Sequence, residues 1–269
     1  MNVVERFERE SPLIGMVHLP PLPGSPRFAG DRKELRGRAL ADAFALVEAG
    51  FDGLLVENFG DAPYYPDGVP KSTVAEMTAI VRELGIGVEC PYGVNVLRND
   101  ADAALSVAAA GGGSFVRVNV HTGARVTDQG VLEGSAHETL RRREQLDADV
   151  SILADVAVKH SAPVGERDIA AVAEETITRG LADGLVVSGP ATGESADADE
   201  LKTVLDRRDS VDPSVPVFVG SGVTPENVAA LLDIADGVIV GTALKRGGET
   251  TAPVDPDRAE AFVDAVRDR

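Results

Sequence analysis

The sequence predicts the α/β class and, within it, a (β/α)8 TIM barrel; three observations carry that reading. Eight short runs are near-continuously apolar and rich in β-branched residues, as parallel strands buried on both faces must be. Segments with apolar residues at helical spacing separate them, so βα units recur roughly every thirty residues. No linker or shift in composition divides the 269 residues, which reads as one domain over 1–269. A doubly wound open sheet is the competing architecture. When it binds a dinucleotide it carries a glycine-rich turn after the first strand, whereas here Pro20-Pro21-Leu22-Pro23-Gly24-Ser25-Pro26 follows. No nicotinamide or flavin motif is present.

The expected strands, in order, are Leu13–His18, Gly53–Glu57, Ile86–Glu89, Ser114–Val118, Ser151–Asp155, Gly184–Ser188, Pro216–Gly220 and Gly237–Gly241. The expected helices are Leu35–Glu48, Thr73–Leu84, Asp100–Ala110, Ala136–Leu146, Arg167–Arg179, Asp197–Arg207, Pro225–Ile234 and Asp257–Arg267. Val74, Met77, Ile80, Val81 and Leu84 show the helical period in the second. Thr224 followed by Pro225 is a start signal for the seventh. Gly50, Gly85, Gly111 and Gly180 are the expected left-handed helix ends. The loops Leu19–Ala29 and Val120–Gly134 are the expected lids. His121, Arg125 and Asp128 lie in the second; Arg27, in the first, is either an anion contact or a solvated charge.

Composition limits the partners. With 26 basic against 44 acidic residues the net charge is −18, which opposes phosphate-backbone or anionic-lipid binding. Only Lys33, Lys71, Lys159, Lys202 and Lys245 are lysines. Excess carboxylate with scarce lysine points to a high-salt cytoplasm, where screening blunts self-repulsion. Cys90 is the sole cysteine, so neither an intrachain disulfide nor a cysteine cluster for metal can form. No apolar run reaches membrane-span length and the opening MNVVERFERE lacks a signal-peptide pattern, so a cytoplasmic protein without direct membrane insertion is expected.

In this fold the active site forms where the strands end. The expected ends supply His18, Glu57 with Asn58, Glu89, Arg117 with Asn119, Asp155 with Lys159 just beyond, and Ser188; Asn95 follows the third. Gly220-Ser221-Gly222 and Gly241-Thr242 close the last two units, where barrels recurrently hold phosphate on bare backbone N–H groups. Those glycines either cradle a phosphorylated metabolite or make tight turns; Lys245 either adds a charge or faces solvent. Glu57, Glu89 and Asp155 are the expected acid/base carboxylates. If they converge they need a cation such as Mg²⁺, a shared proton, or pairing with Arg117 and Lys159. His18 reads as acid, base or packed core histidine. Lys159 reads as a Schiff-base nucleophile or, with acids nearby to keep it protonated, as a charge. Asn58, Asn95, Arg117, Asn119 and Ser188 are the expected substrate contacts.

The runs Ile14–Pro26 (IGMVHLPPLPGSP), Tyr92–Asp100 (YGVNVLRND), Phe115–Val120 (FVRVNV) and Asp155–Pro163 (DVAVKHSAP) resemble the BtpA family, with similarity from about residue 10 to 250. The resemblance implies a barrel and a phosphosugar context. The family takes its name from a cyanobacterial protein of photosystem I biogenesis at thylakoid membranes, and some bacterial relatives accompany sugar-uptake genes. Three functions are therefore expected alternatives. The first is an isomerase, lyase or hydrolase acting on a phosphorylated sugar, nucleoside or similar metabolite. The second is a non-catalytic assembly or stability factor for a membrane complex, and the third a phospho-metabolite sensor. Outer barrel helices also make a homo-oligomer an expectation by fold analogy.

Overall fold

The computed structural model describes residues 3–156, 158–189, 193 and 197–267. In chain order its strands are β1 (Leu13–His18), β2 (Gly53–Glu57), β3 (Tyr92–Asn95), β4 (Phe115–Val118), β5 (Ala124–Thr127), β6 (Gly130–Glu133), β7 (Ser151–Asp155), β8 (Ala162–Pro163), β9 (Gly184–Val187), β10 (Val217–Val219) and β11 (Gly237–Val240). The helices are α1 (Arg32–Ala49), α2 (Lys71–Gly87), α3 (Ala101–Gly111), α4 (Ala136–Gln145), α5 (Ile169–Thr178), α6 (Ala198–Val211), α7 (Val228–Leu232) and α8 (Pro256–Arg267). Eight parallel strands close the barrel in the order β1-β2-β3-β4-β7-β9-β10-β11, and β11 pairs back onto β1. One helix follows each barrel strand, so the (β/α)8 barrel that the sequence predicts is the fold.

Two apolar layers hold it. The outer one packs strand residues such as Val17, Val56, Val94 and Val116 against helix residues such as Leu46, Ile80 and Leu105. The inner one fills the barrel with Ile14, Met16, Leu55, Phe115, Leu153, Val186, Phe218 and Ile239. The two sets alternate along each strand, as the pleat requires. Phe7, just after a short turn of 3₁₀ helix, joins the inner layer from below, with its ring 5.9 Å from that of Phe115. A Cβ at Gly53 would stand 2.5 Å from that ring, so glycine is what admits this floor.

Helix ends follow local chemistry. Asp31 caps α1 by accepting from the N–H groups of Lys33 and Glu34, and Asp197 caps α6 through Asp199 and Glu200. Gly50 ends α1 in the left-handed conformation, φ 98°. The other three expected glycine ends are corrected. Gly85 and Gly111 lie inside α2 and α3, and the left-handed residues are Gly112 and Leu181 rather than Gly111 and Gly180.

The third strand is also corrected. Ile86–Glu89 is the end of α2 and the loop after it, and the strand is Tyr92–Asn95. Gly85 permits α2 to run on, because a Cβ there would fall 1.9 Å from the Tyr92 hydroxyl, which itself donates to the Gly111 carbonyl at 3.0 Å. A four-residue apolar run carries no periodicity that separates strand from helix end. The seventh helix is shorter than expected, because Pro225–Asn227 forms a turn ahead of Val228. Thr224 is not its cap; its N–H instead donates to Asn227 Oδ1 at 2.8 Å. Finally, the segment expected as a long loop folds into a β5–β6 hairpin, which β8 joins along its other edge.

Candidate active site

Two residues above the inner apolar layer, the same inward alternation reaches the top of every strand. It yields His18, Glu57, Asn95, Arg117, Asp155, Ser188, Gly220 and Gly241, one from each strand. Register fixes neighbours in this ring: His18 lies opposite Glu57, and Glu57 opposite Asn95. The polar members are all buried.

Arg117 organises the ring. Its Nε and Nη2 donate to the two carboxylate oxygens of Asp155 at 2.8 and 2.9 Å, and Nη2 also reaches Ser188 Oγ at 3.2 Å. Asn119 Nδ2 donates to Asp155 Oδ2 at 2.9 Å. Asp155 is thus fully engaged as the fixed counter-anion of a buried guanidinium, and Ser188 steadies the same group. Glu57 is placed differently, with Oε1 3.8 Å from His18 Nε2. Burial raises its pKa above the ordinary carboxylate value, against the opposing pull of Arg117, Lys159 and Arg98. His18 is held well below its ordinary pKa, first by burial and then by Lys245 and Lys159, so its imidazole is neutral at pH 7. Its ring stacks at a tilt on Phe59, centroids 4.8 Å apart. Lys159 has no carboxylate within salt-bridge distance among the described residues, and burial followed by Arg117 lowers its pKa to about 8.

Above this ring the mouth opens as two lobes that share Glu57, Phe59, Arg117 and Lys159. The first, about 290 Å³, is walled by Gly220–Glu226 and Gly241–Ala243, with Arg258 of α8 at its edge. Gly220, Ser221, Gly222, Gly241 and Thr242 therefore all face one cavity. A Cβ at Gly220 would meet Ser188 Oγ at 2.8 Å and Arg117 Nη2 at 3.3 Å, and one at Gly241 would meet His18 Cε1 at 3.0 Å. Backbone here approaches the polar ring closely because no side chain intervenes. The second lobe, about 390 Å³, is walled by Tyr64, Leu97, Arg98, Asn119, Asp128 and His160.

Several expected residues stand elsewhere. Glu89 is exposed in the loop that enters β3, at the opposite end of the barrel from the mouth; the slipped third strand had placed it at the rim. The trio Glu57, Glu89 and Asp155 therefore does not converge. Among the described residues no three His, Cys, Asp or Glu side chains gather closely enough to share an ion. Asn58 is spent on structure, exchanging hydrogen bonds with the backbone of Leu97 and donating to Asp61. Asn95 belongs to the ring but lines neither lobe. Lys245 is fully buried, donating to Asp42 at 3.3 Å and to the Met16 carbonyl at 3.1 Å. His121 is likewise structural, with Nε2 2.8 Å from the Gly180 carbonyl. Sequence reasoning gave no role to Phe59, Tyr64, Arg98, Glu226 or Arg258, because the loops and helix that bring them in are positioned by long-range packing.

A closed parallel barrel with its polar groups collected at the C-terminal strand ends defines the class, a TIM-barrel protein with a built mouth. The chain belongs to the BtpA family, whose model matches residues 9–268. The photosystem I biogenesis protein BtpA of Synechocystis is 45% identical over 266 residues, covering 99% of this chain and 91% of its own. A Pyrococcus furiosus protein is 46% identical over 254 residues, 94% of each chain. The putative sgc region protein SgcQ of Escherichia coli is 34% identical over 260 residues, 96% of this chain and 94% of its own. Among solved structures, a native KDPGal structure is similar at TM-score 0.59 and 20% identity, covering 97% of both chains. The phosphoribosyl anthranilate isomerase of Thermus thermophilus is similar at TM-score 0.59 and 10% identity, covering 96% of this chain and 98% of that one. Identities this low establish the shared barrel alone.

Proposed function

We propose that the mouth is the active site of an enzyme acting on a phosphorylated sugar, nucleoside or similar small metabolite. The observation that carries this reading is the meeting of two lobes at one carboxyl group. A glycine-walled lobe suited to phosphate adjoins a second, side-chain-walled lobe, and Glu57 stands at their junction. The substrate phosphate sits on the backbone of Gly220–Gly222 and Gly241–Thr242, with Arg258 contributing charge. The reacting bond then lies over Glu57, whose pKa burial raises above the ordinary carboxylate value, as suits a group that must hand on a proton. Arg117 and Lys159 supply positive potential beside it, which an anionic substrate needs in a chain of net charge −18. Lys159 acts here as a charge, and neutral His18 lies beside Glu57. Isomerisation, elimination and hydrolysis all fit one positioned acid/base with flanking cations.

The test is a turnover screen over phosphorylated sugars and nucleosides, repeated with Glu57→Gln. The expected loss in kcat is about 10²–10⁴-fold, the usual contribution of a positioned acid/base; unaltered turnover overturns the role of Glu57. An assembly role, such as the name of the Synechocystis relative states, is the second reading. It is supported by the 45% identity, and it requires that co-purification with a membrane complex survive Glu57→Gln.

A further inference from the structure

Arg98, Arg117 and Lys159 all wall the second lobe, and their charges are not equally answered. Arg117 has its counter-ion in Asp155, which takes hydrogen bonds from it on both oxygens. Arg98 and Lys159 form no ion pair among the described residues. The two are close neighbours, because Arg98 Nη2 donates to the Lys159 backbone carbonyl at 2.5 Å, and the Arg98 charge opposes the charging of Lys159. Arg98 is only 7% exposed. Glu57 attracts both cations, but the one partner it has at ion-pair distance is His18. Asp128 stands exposed on the turn of the β5–β6 hairpin, where it accepts from Gln129 Nε2 instead. Lys159 Nζ and the Arg98 Nε and Nη1 make no hydrogen bond among the described residues; unlike Asn119 Oδ1, they are not sealed from solvent.

Cations crowded together away from water raise one another's energy, and folded proteins answer them with a counter-charge. Here the chain supplies none, while about 390 Å³ of open lobe adjoins both residues. A guanidinium fork matches the paired oxygens of a carboxylate or phosphate, and an ammonium adds a compact charge beside it. We propose that the second lobe binds a second anionic group of the substrate, a carboxylate or a further phosphate, held between Arg98 and Lys159. The proposal rests on the phosphorylated-substrate reading above and narrows it to molecules charged at both ends. One phosphate lies on the glycine-walled lobe, and the other anion lies on the far side of Glu57. A singly charged sugar phosphate leaves Arg98 unanswered, so the lobe selects by charge.

Calorimetric titration of the intact protein with two matched pairs tests it. Glucose 6-phosphate is compared with 6-phosphogluconate, which gains a carboxylate, and fructose 6-phosphate with fructose 1,6-bisphosphate, which gains a phosphate. In at least one pair the doubly anionic member is expected to bind about tenfold or more tightly, and the pair that shows this identifies the group. Arg98→Gln is expected to shrink the preference to about twofold or less. Lys159→Gln carries the same expectation and decides the matter if Arg98→Gln does not fold. Equal affinity within both pairs overturns this proposal and leaves the phosphorylated-substrate reading standing, as does a preference that survives these substitutions. Failure of all four ligands to bind overturns both.

Discussion

The two lobes of the mouth are built from different materials. The first is made largely of backbone: glycines at strand ends keep side chains out of it, and its geometry follows from where β10 and β11 stop. The second is made of side chains delivered by a 3₁₀ turn, the loop before α3 and a hairpin, and its geometry depends on how those loops pack. A backbone site accepts any small tetrahedral anion, whereas a side-chain site can discriminate. The contrast suggests a division of labour in which one lobe anchors, the other selects, and Glu57 acts between them.

The wall common to both lobes should show the largest effect. Arg117→Met leaves Asp155 buried with Asn119 as its one remaining side-chain partner among the described residues, and the expected cost is about 3–5 kcal/mol of folding stability, read by urea denaturation. Pairing it with Asp155→Leu should recover part of that loss. A single variant as stable as the parent would mean that the ring does not depend on this ion pair.

Next is a variant that touches one lobe alone. Arg258→Ala is expected to weaken binding of phosphorylated ligands about tenfold and to flatten the salt dependence of that binding. The preference among ligands that differ only at the end remote from phosphate should not change. A changed preference would break the division between anchoring and selecting.

The smallest effect is a displacement along the pH axis. Lys159 loses its charge as pH rises through about 8, so kcat/KM should fall above that value. Lys159→Arg should carry this upper limb beyond the measurable range while preserving most activity at pH 7. The lower limb belongs to Glu57 if it acts as a base. Its raised pKa places the loss at a higher pH than an exposed glutamate would give. An unmoved upper limb in Lys159→Arg would assign it to another group.

The legibility of the site in the sequence follows the same division. Seven of the eight strands were found where their apolar runs suggested. Because side chains alternate with period two, each correct strand end delivered its inward residue without further information. Glu57, Arg117, Asp155 and Gly220 were found in this way. The one misplaced strand produced the one carboxylate assigned to the wrong end of the barrel, Glu89. Arg98, Tyr64 and Arg258 carry no such signal, since their positions depend on contacts between segments far apart in the chain. Asp128 lay in a recognised loop, but its hairpin could not be seen before the pairing of Val126 with Val131 and Ala162 was known. The role of Asp155 was ambiguous for a related reason: only geometry shows that Arg117 engages both of its oxygens.

The buried Lys245 has a consequence for the life of the molecule before it functions. This lysine fastens the loop after the last barrel strand to the Met16 carbonyl in the first, and to Asp42 on the helix that follows. On the ribosome, β1 emerges more than two hundred residues ahead of its clasp, and the seam between β1 and β11 stays open until translation is nearly finished. The glycine-rich loops after the last two barrel strands are among the last parts made, and the final one is locked to the first strand. An unfinished chain therefore has no mouth to occupy, and ligand capture during synthesis begins only when the circle is shut.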